Sequence, residues 1–189
     1  MSGAAEVHVG ATLTPSKMEL LAGWLPRQPW FDGDPEQLSR AAFFRFVDPA
    51  GAVGLDCMVV TTSGDYYFVP VTWRSAPLDG GDLIGTLDHS ELGLRYCYDA
   101  QTDPVFVAEA TRVIREGDTQ ADIRDVHGDE LPLTMTVQGT GVVAGEGGRL
   151  EIMRLLTRAA PTPEDVIGSL VSRWTDDAGP RHDVVAVLR

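Results

Sequence analysis

The sequence predicts an α+β fold, with an antiparallel sheet packed on one face by helices. Two segments carry complete helix signals, and about eight short strands follow one another in hairpin-like succession. The regular strand–helix alternation that builds a parallel sheet is missing. The 189 residues suit one domain with a substantial core, and no repeat or clear linker divides them. We expect a single domain over residues 1–189, with a core at about 10–158 and a C-terminal β-hairpin at about 166–189.

The first helix is predicted within LTPSKMELLAGWLP, residues 13–26. Thr14 is a suitable N-cap, and Pro15 suits the first helical position, where a missing N–H costs nothing. Apolar residues recur at helical spacing through the segment, and Pro26 ends it. These features predict an amphipathic helix of about three turns.

Five strands are predicted to follow, because apolar and polar residues alternate between turn signals. They are the segments 38–48, 53–62, 66–75, 83–89 and 92–99. The odd-numbered residues from Val53 to Val59 share one face of the second strand, and those from Tyr67 to Trp73 share one face of the third. Pro70 lies inside the third strand. Because proline cannot donate to a ladder, we expect a sheet edge or a bulge there.

A second helix is strongly marked. Asp103 is a good N-cap, Pro104 follows it, and an apolar stripe continues to a predicted end near Arg115. Gly117 is a suitable residue after the helix, where a left-handed conformation is common. The acidic segment 118–130 lacks periodicity, so we expect a surface loop.

The remaining strands are predicted in 131–143, 149–158 and 183–189. The segment 167–174 also fits a short helix, but the turn-like DDAGPR behind it favours a strand. We interpret GTGVVAGEGG, 139–148, as a hairpin turn, since its flanks resemble strands and it lacks the spacing of a phosphate-binding loop. APTPED, 160–165, is a candidate boundary but is short.

Charge and composition argue against several classes of binding partner. The net charge is −13, from 28 acidic and 15 basic residues, which repels nucleic acid and anionic membranes. No apolar run approaches the roughly 20 residues of a membrane helix, and the N-terminus lacks the features of a secretory signal. We expect a cytoplasmic protein, in which Cys57 and Cys97 are reduced thiols.

His127-Gly128-Asp129 is the motif most suggestive of catalysis. It is similar to the start of the catalytic loop in aminoglycoside-phosphotransferase-like sugar kinases, where an asparagine five residues on binds magnesium and a lysine contacts the nucleotide phosphates. Here that position is Thr134, the chain has no asparagine, and its single lysine, Lys17, lies on the first helix. A glycine-containing turn ahead of a strand is the favoured interpretation.

The segment GTLDHSELGLRYCYDAQTDP, residues 85–104, contains a second polar cluster around His89. Neighbouring residues of a strand point to opposite faces, so this run cannot itself form a Ser/His/acid triad. Arg95 and Asp99 are spaced so that they could pair. A structural polar corner is favoured over a site for a ligand or partner, and both remain open. No cofactor or metal site is predicted, since the histidines lack ligand spacing.

Several short motifs follow one another in a fixed order: WLP at 24–26, QPWF at 28–31, VPVTWR at 69–74, APL at 76–78, LIGT at 83–86, YD at 98–99 and DP at 103–104. In their order and spacing they resemble the N-terminal cap domain of actinobacterial maltokinases and related glucosamine kinases. The resemblance extends from about residue 10 to 140, and in weaker form to the C-terminus.

The resemblance implies a cystatin-like α+β unit, a curved antiparallel sheet wrapped against a helix. In the family this cap precedes the kinase lobes and modulates them without supplying catalytic residues. Because the chain ends where a kinase would begin, we expect a stand-alone cap-domain protein that is not an enzyme. The resemblance also implies a link to maltose, trehalose, glycogen or amino-sugar metabolism, through a partner sugar kinase or α-glucan enzyme.

Three hypotheses follow. In the first, an accessory or regulatory module contacts its partner through Trp73, Arg74, His89 and Arg95. In the second, a pocket lined by His89, Arg95, Tyr98 and Asp99 binds a sugar or phosphate or supports an unrecognised reaction, with Arg95 holding the anion and His89 acting as acid or base. In the third, a homo-oligomer forms through a sheet edge near Pro70.

Overall fold

The computed structural model describes residues 3–142, 147–158 and 165–189. Its helices are α1, Lys17–Trp24, and α2, Pro104–Glu116. Its strands are β1 Ala4–Val7, β2 Leu13–Thr14, β3 Ser39–Val47, β4 Gly54–Thr62, β5 Asp65–Arg74, β6 Leu83–His89, β7 Gly93–Asp99, β8 Asp122–Asp125, β9 Met135–Gly139, β10 Leu150–Ile152, β11 Gly168–Asp176 and β12 Gly179–Leu188. None of the helices in these ranges has the length and apolar character to cross a membrane.

The strands divide between two antiparallel sheets and a parallel pair. The six-stranded sheet has the order β2-β6-β7-β5-β4-β3, and the four-stranded sheet has the order β10-β12-β11-β9. β1 and β8 form the parallel pair. The α+β class is confirmed, but the strands form more than the one sheet we expected.

The two helices pack on opposite faces of the six-stranded sheet, which corrects the expectation of a single helical face. Leu21 and Trp24 of α1 are buried against Met58 and Val69. On the other face, Phe106 of α2 belongs to a core shared by both sheets. That core also contains Phe44, Cys57, Phe68, Trp174 and Val185.

Alternation along the central strands places their side chains as predicted. Val53, Leu55, Cys57 and Val59 are buried in the α2 core. Tyr67, Val69 and Val71 are buried in the α1 core, and Trp73 packs partly buried beside them. Both faces of β4 and β5 are covered, which explains their nearly continuous burial.

Ser16, and not Thr14, is the N-cap of α1. The hydroxyl of Ser16 accepts from the backbone N–H of Glu19 at 3.2 Å, and the Glu19 carboxylate accepts from the Ser16 N–H at 2.7 Å. This reciprocal capping box satisfies two donors that the helix leaves free. Thr14 is still extended and pairs with Asp88 in the sheet.

The predicted ends of α2 are confirmed. The Asp103 side chain accepts from the backbone N–H of Val105 at 3.0 Å, and Pro104 occupies the first turn. The helix ends at Gly117, whose φ of 63° is left-handed and therefore favours glycine.

Pro70 lies in an interior strand, but at a gap in its pairing. On the side away from β4, Phe68 donates its backbone N–H to the carbonyl of Arg154 at 2.7 Å, and pairing with β7 begins only at Val71 and Asp99. The missing N–H of Pro70 therefore costs no ladder bond. The expected sheet edge is not found there, so the predicted oligomer contact near Pro70 has no exposed strand.

Residues 118–130 contain a strand, which corrects the expectation of a surface loop. β8 pairs with β1, and Ile123 is buried. Near this pair, Arg45 of β3 donates to the carbonyl of Glu6 at 3.4 Å. The N-terminal residues thereby form a wall beside the six-stranded sheet.

Near the C-terminus, β11 and β12 form an antiparallel hairpin, and 167–174 is confirmed as mainly strand. The predicted strands at 131–143 and 149–158 are shorter in the structure, where they correspond to β9 and β10. The predicted turn at 139–148 and the candidate boundary at 160–165 fall partly outside the described residues.

Candidate functional site

A cavity of about 730 Å³ lies on the α1 face of the six-stranded sheet, next to the N-terminus of that helix. Residues of β3 to β7 line it on one side and β1 lines it on another. Three of the six predicted site residues line this cavity, namely Trp73, His89 and Arg95. The other three, Arg74, Tyr98 and Asp99, do not line it and have partners elsewhere.

Strand register explains this division for Arg74 and Tyr98, whereas Asp99 is on the same face as Arg95 but is bonded to Arg154. Trp73 pairs with Cys97, which lies two residues from Arg95, so all three side chains share one face. Arg74 and Tyr98 are each one residue further along, so their side chains are on the opposite face. A sequence cluster is therefore split by the pleat of the sheet.

Two cations that were not predicted, Lys17 and Arg45, also line the cavity and share the buried carboxylate of Asp56. Lys17 Nζ bonds to Asp56 Oδ2, and Arg45 Nε lies 3.7 Å from Asp56 Oδ1. Burial opposes ionisation of Asp56, but the charges of Lys17 and Arg45 outweigh it and lower the pKa of Asp56 to about 2. Asp56 is therefore ionised at neutral pH.

Trp73 supplies an aromatic wall. Lys17 Nζ lies 5.4 Å from the centroid of its ring, within cation–π range. Gly54 pairs with Trp73 on the adjacent strand, and a Cβ there would meet the Trp73 Cβ at 3.3 Å. The glycine thus keeps the surface beside the indole open. The Trp73 Nε1 atom is buried and has no hydrogen-bond acceptor in the described part of the chain.

His89 is held in its neutral form. Its Nδ1 accepts from the backbone N–H groups of Glu91 and Leu92 at 3.2 and 3.3 Å, which places the ring proton on Nε2. Its ring lies edge-on to His8, with centroids 5.5 Å apart. Burial, together with the charges of His8 and Arg95, lowers the pKa of His89.

Arg95 has few internal contacts. Its Nη1 donates to the carbonyl of Leu94 at 3.0 Å. Within the described ranges it forms no ion pair, and the predicted pairing with Asp99 is wrong because Asp99 binds a different arginine. Both Asp99 oxygens accept from Arg154 Nη2, at 2.7 and 2.6 Å. Arg95 therefore faces the cavity with its charge uncompensated by a carboxylate.

Arg74 and Tyr98 have structural roles. The Arg74 Nε and Nη2 atoms donate to the two oxygens of Asp103, each at 2.7 Å, and the same carboxylate caps α2. The hydroxyl of buried Tyr98 accepts from the backbone N–H of Leu78 at 2.8 Å. These bonds satisfy the polar groups that made both residues look like site candidates.

His127-Gly128-Asp129 is confirmed as a turn. The Asp125 carboxylate accepts from the backbone N–H groups of His127 and Asp129 at 2.8 and 2.9 Å, and Gly128 has a φ of 89°. Thr134, at the position of the kinase asparagine, accepts at its hydroxyl from the Phe43 N–H at 3.0 Å. The motif therefore closes a connection between strands.

The cysteines do not form a reactive site. Cys57 and Cys97 are buried and free, and burial raises the pKa of both thiols, so neither is a thiolate at neutral pH. In the described ranges, no three His, Cys, Asp or Glu side chains gather in the manner of a metal site.

Sequence reasoning missed the cavity residues Lys17 and Arg45 and the buried Asp56 that pairs with them. One signal was available, because Asp56 shares its face of β4 with the apolar residues Met58 and Val60. A buried carboxylate requires a cation, and Lys17 is the single lysine of the chain. Which arginine completes the cluster depends on the register of β3 against β4, where Arg45 pairs with Asp56.

The comparison with known families bears on the strands that form this cavity. Residues 24–103 match the family model of the maltokinase N-terminal cap domain. The resemblance is confirmed over these residues, a shorter span than the 10–140 we expected. The cap-domain match includes β3 to β7 and ends at the Asp103 cap, whereas Lys17 and β1 lie outside it. No curated protein and no solved structure matches the chain.

Proposed function

We propose that this chain is a non-catalytic accessory or regulatory module of maltokinase-type carbohydrate metabolism, which acts by contacting a sugar kinase domain. The observation that carries the proposal is the cap-domain match over residues 24–103. In kinases of this type the cap precedes the catalytic lobes in the same chain, so we expect the same strands to be suited to contact a kinase surface here.

The residues present support a role without phosphoryl transfer. That chemistry needs a lysine on the nucleotide phosphates and an asparagine for magnesium. The 189 residues contain no asparagine, and their single lysine, Lys17, is bonded to the buried Asp56. The proposal extends to a cystatin-like sheet, a cytoplasmic location, and substrates of maltose, trehalose, glycogen or amino-sugar metabolism.

The β6–β7 hairpin is our candidate contact for the kinase. It lies within the cap-domain match and exposes Leu83 and Leu94, which are 45% and 47% accessible. Leu94 is next to Arg95 in β7 but on the opposite face, so it is available to a partner without entering the cavity. Exposed apolar side chains beside charged ones are typical of transient interfaces.

Isothermal titration calorimetry against a purified maltokinase catalytic domain that lacks its own cap tests this proposal. We expect a 1:1 complex with a Kd below about 10 µM and a changed kcat/KM for maltose phosphorylation. Leu94→Glu should weaken binding at least about tenfold, whereas Ile167→Glu, similarly exposed just before β11 of the four-stranded sheet, should leave it unchanged. Absence of binding at about 100 µM, or equal loss in both variants, would contradict the proposed contact.

A further inference from the structure

We propose that the cavity between β1 and the α1 face of the sheet binds a small organic anion. Its phosphate or carboxylate head would contact Arg95 and Arg45, and a ring-shaped apolar body would lie against Trp73. This activity is separate from kinase association, which we assign to the outer face of the β6–β7 hairpin.

The cavity has the dimensions and lining of a ligand site. Its volume of about 730 Å³ falls in the range of roughly 300 to 1,000 Å³ that small-molecule sites occupy. The apolar part of its lining includes Leu13, Trp73, Leu87 and Leu92. An apolar wall with a few convergent polar groups is the usual arrangement of such sites.

Several cations of this acidic chain line the cavity. The net charge is −13, yet Lys17, Arg45 and Arg95 all lie at this one place. Asp56 is bonded to Lys17 and lies 3.7 Å from Arg45, so one carboxylate faces two of the three cations. The third cation, Arg95, bonds only to a backbone carbonyl in the described ranges, so it is the cation most available to an anion.

Two carboxylates of the lining, Asp48 and Glu6, add negative charge to the cavity. Asp48 accepts from the backbone N–H groups of Ala50, Ala52 and Val53, each at 2.9 Å. The Glu6 side chain is 63% exposed, and its Oε1 lies 3.8 Å from His8 Nε2. Together with Asp56, these carboxylates equal the three cations in number, and Arg95 is the cation that none of them pairs with in the described ranges.

Unsatisfied donors indicate that an acceptor belongs in the cavity. Trp73 and Arg45 line the cavity. Their buried Nε1 and Nε atoms have no hydrogen-bond acceptor in the described part of the chain, although Asp56 Oδ1 lies 3.7 Å from Arg45 Nε. Buried N–H groups are rarely left without an acceptor, because they lose their bonds to water. His89 adds a third donor, since its proton is on Nε2. Oxygen atoms of an anion would satisfy donors of this kind.

NMR of the ¹⁵N-labelled full chain tests the inference, with phenyl phosphate and benzoate as probes. We expect at least one of them to shift the indole N–H signal of Trp73, which is identified by its loss in Trp73→Phe. Arg95→Gln should weaken binding at least about tenfold, or about 1.4 kcal/mol. Arg173→Gln, an exposed arginine on the four-stranded sheet, is the matched control and should change affinity less than about twofold.

Comparing the affinities of different probes distinguishes the contribution of the charged head of the proposed ligand from that of its ring. Tighter binding of phenyl phosphate than of benzoate would assign a phosphate head, and the reverse would assign a carboxylate. Benzyl alcohol, which has the ring without the charge, should bind at least about tenfold more weakly than the better anion. The inference would be overturned if neither anion shifts Trp73, if benzyl alcohol binds equally well, or if both arginine variants weaken binding equally.

Discussion

Arg74 and Arg95 lie on adjacent strands, at neighbouring register positions, and yet belong to different parts of the molecule. Arg74 pairs across the sheet with Tyr96, the residue after Arg95. Arg74 is on the α2 face, where it is bonded twice to Asp103, and that bonding raises the pKa of Arg74. Arg95 is on the cavity face and its one bond is to a backbone carbonyl.

The comparison shows that whether an arginine finds a carboxylate partner depends on which element packs against its face of the sheet. On the α2 face, a helix brings its own N-cap carboxylate to Arg74, so the ion pair also orients α2. On the cavity face, α1 begins at Lys17 and does not cover the part of the sheet that lines the cavity. We therefore expect substitutions on the first face to change stability and substitutions on the second to change binding.

The largest expected effect is that of Asp103→Ala. It removes the partner of Arg74, the acceptor of the Thr72 hydroxyl and the cap of α2 from a fully buried position. A buried pair that loses one member costs about 3–5 kcal/mol, with the lost cap included in that range. Urea unfolding monitored by circular dichroism measures it.

Asp79→Ala, at an exposed loop position, is the control for Asp103→Ala and should stay within about 0.5 kcal/mol. A loss below about 1 kcal/mol in Asp103→Ala would show that the Arg74 pair does not hold α2, and the contrast between the two faces would then fail.

An intermediate effect is expected when Asp56 is replaced. Its carboxylate is buried like that of Asp103, but its partners Lys17 and Arg45 line the cavity. Its pKa is lowered from 3.8 to about 2, so it contributes stability above pH 3.8 that is lost as the pH falls toward 2. The shift corresponds to about 2 kcal/mol. Asp56→Asn should be less stable than the wild type by about this amount at pH 7.

Urea unfolding of both proteins between pH 7 and pH 2 checks this expectation. The difference between wild type and Asp56→Asn should shrink below pH 3.8 and approach zero near pH 2. A difference that does not change with pH would mean that lost packing, rather than the charge, explains the effect. Asp56→Asn should also bind the anion more tightly, since it frees Lys17 and Arg45.

Local features were predictable from the sequence, and long-range partners were not. The Asp103 cap, the left-handed Gly117 and the alternation of β4 and β5 each depend on a few neighbouring residues. The partner of Asp99 is Arg154, 55 residues away, and the partner of Lys17 is Asp56, 39 residues away. No spacing rule connects such pairs, because topology brings them together.

The same limit explains the two main errors of fold and site. Strand β8 is short and acidic, and only its pairing with β1 makes it regular, so 118–130 looked like a loop. The six predicted site residues are close in sequence, but alternation separates Arg74 and Tyr98 from Trp73 and Arg95. Alternation was itself predictable. The part of each sheet face that the helices and β1 leave uncovered was not predictable, because it depends on contacts between residues that are distant in sequence.

The smallest expected effect on stability, and the sharpest test of the comparison, is that of Arg95→Gln. Arg95 has no ion pair in the described ranges, so its replacement should change the free energy of unfolding by no more than about 0.5 kcal/mol. Arg74→Gln leaves a fully buried carboxylate without its cation and should cost about 3 kcal/mol or more. Parallel urea unfolding curves give both numbers. If the two variants lose equal stability, Arg95 is a structural residue like Arg74, and the cavity would lose the cation on which anion binding depends.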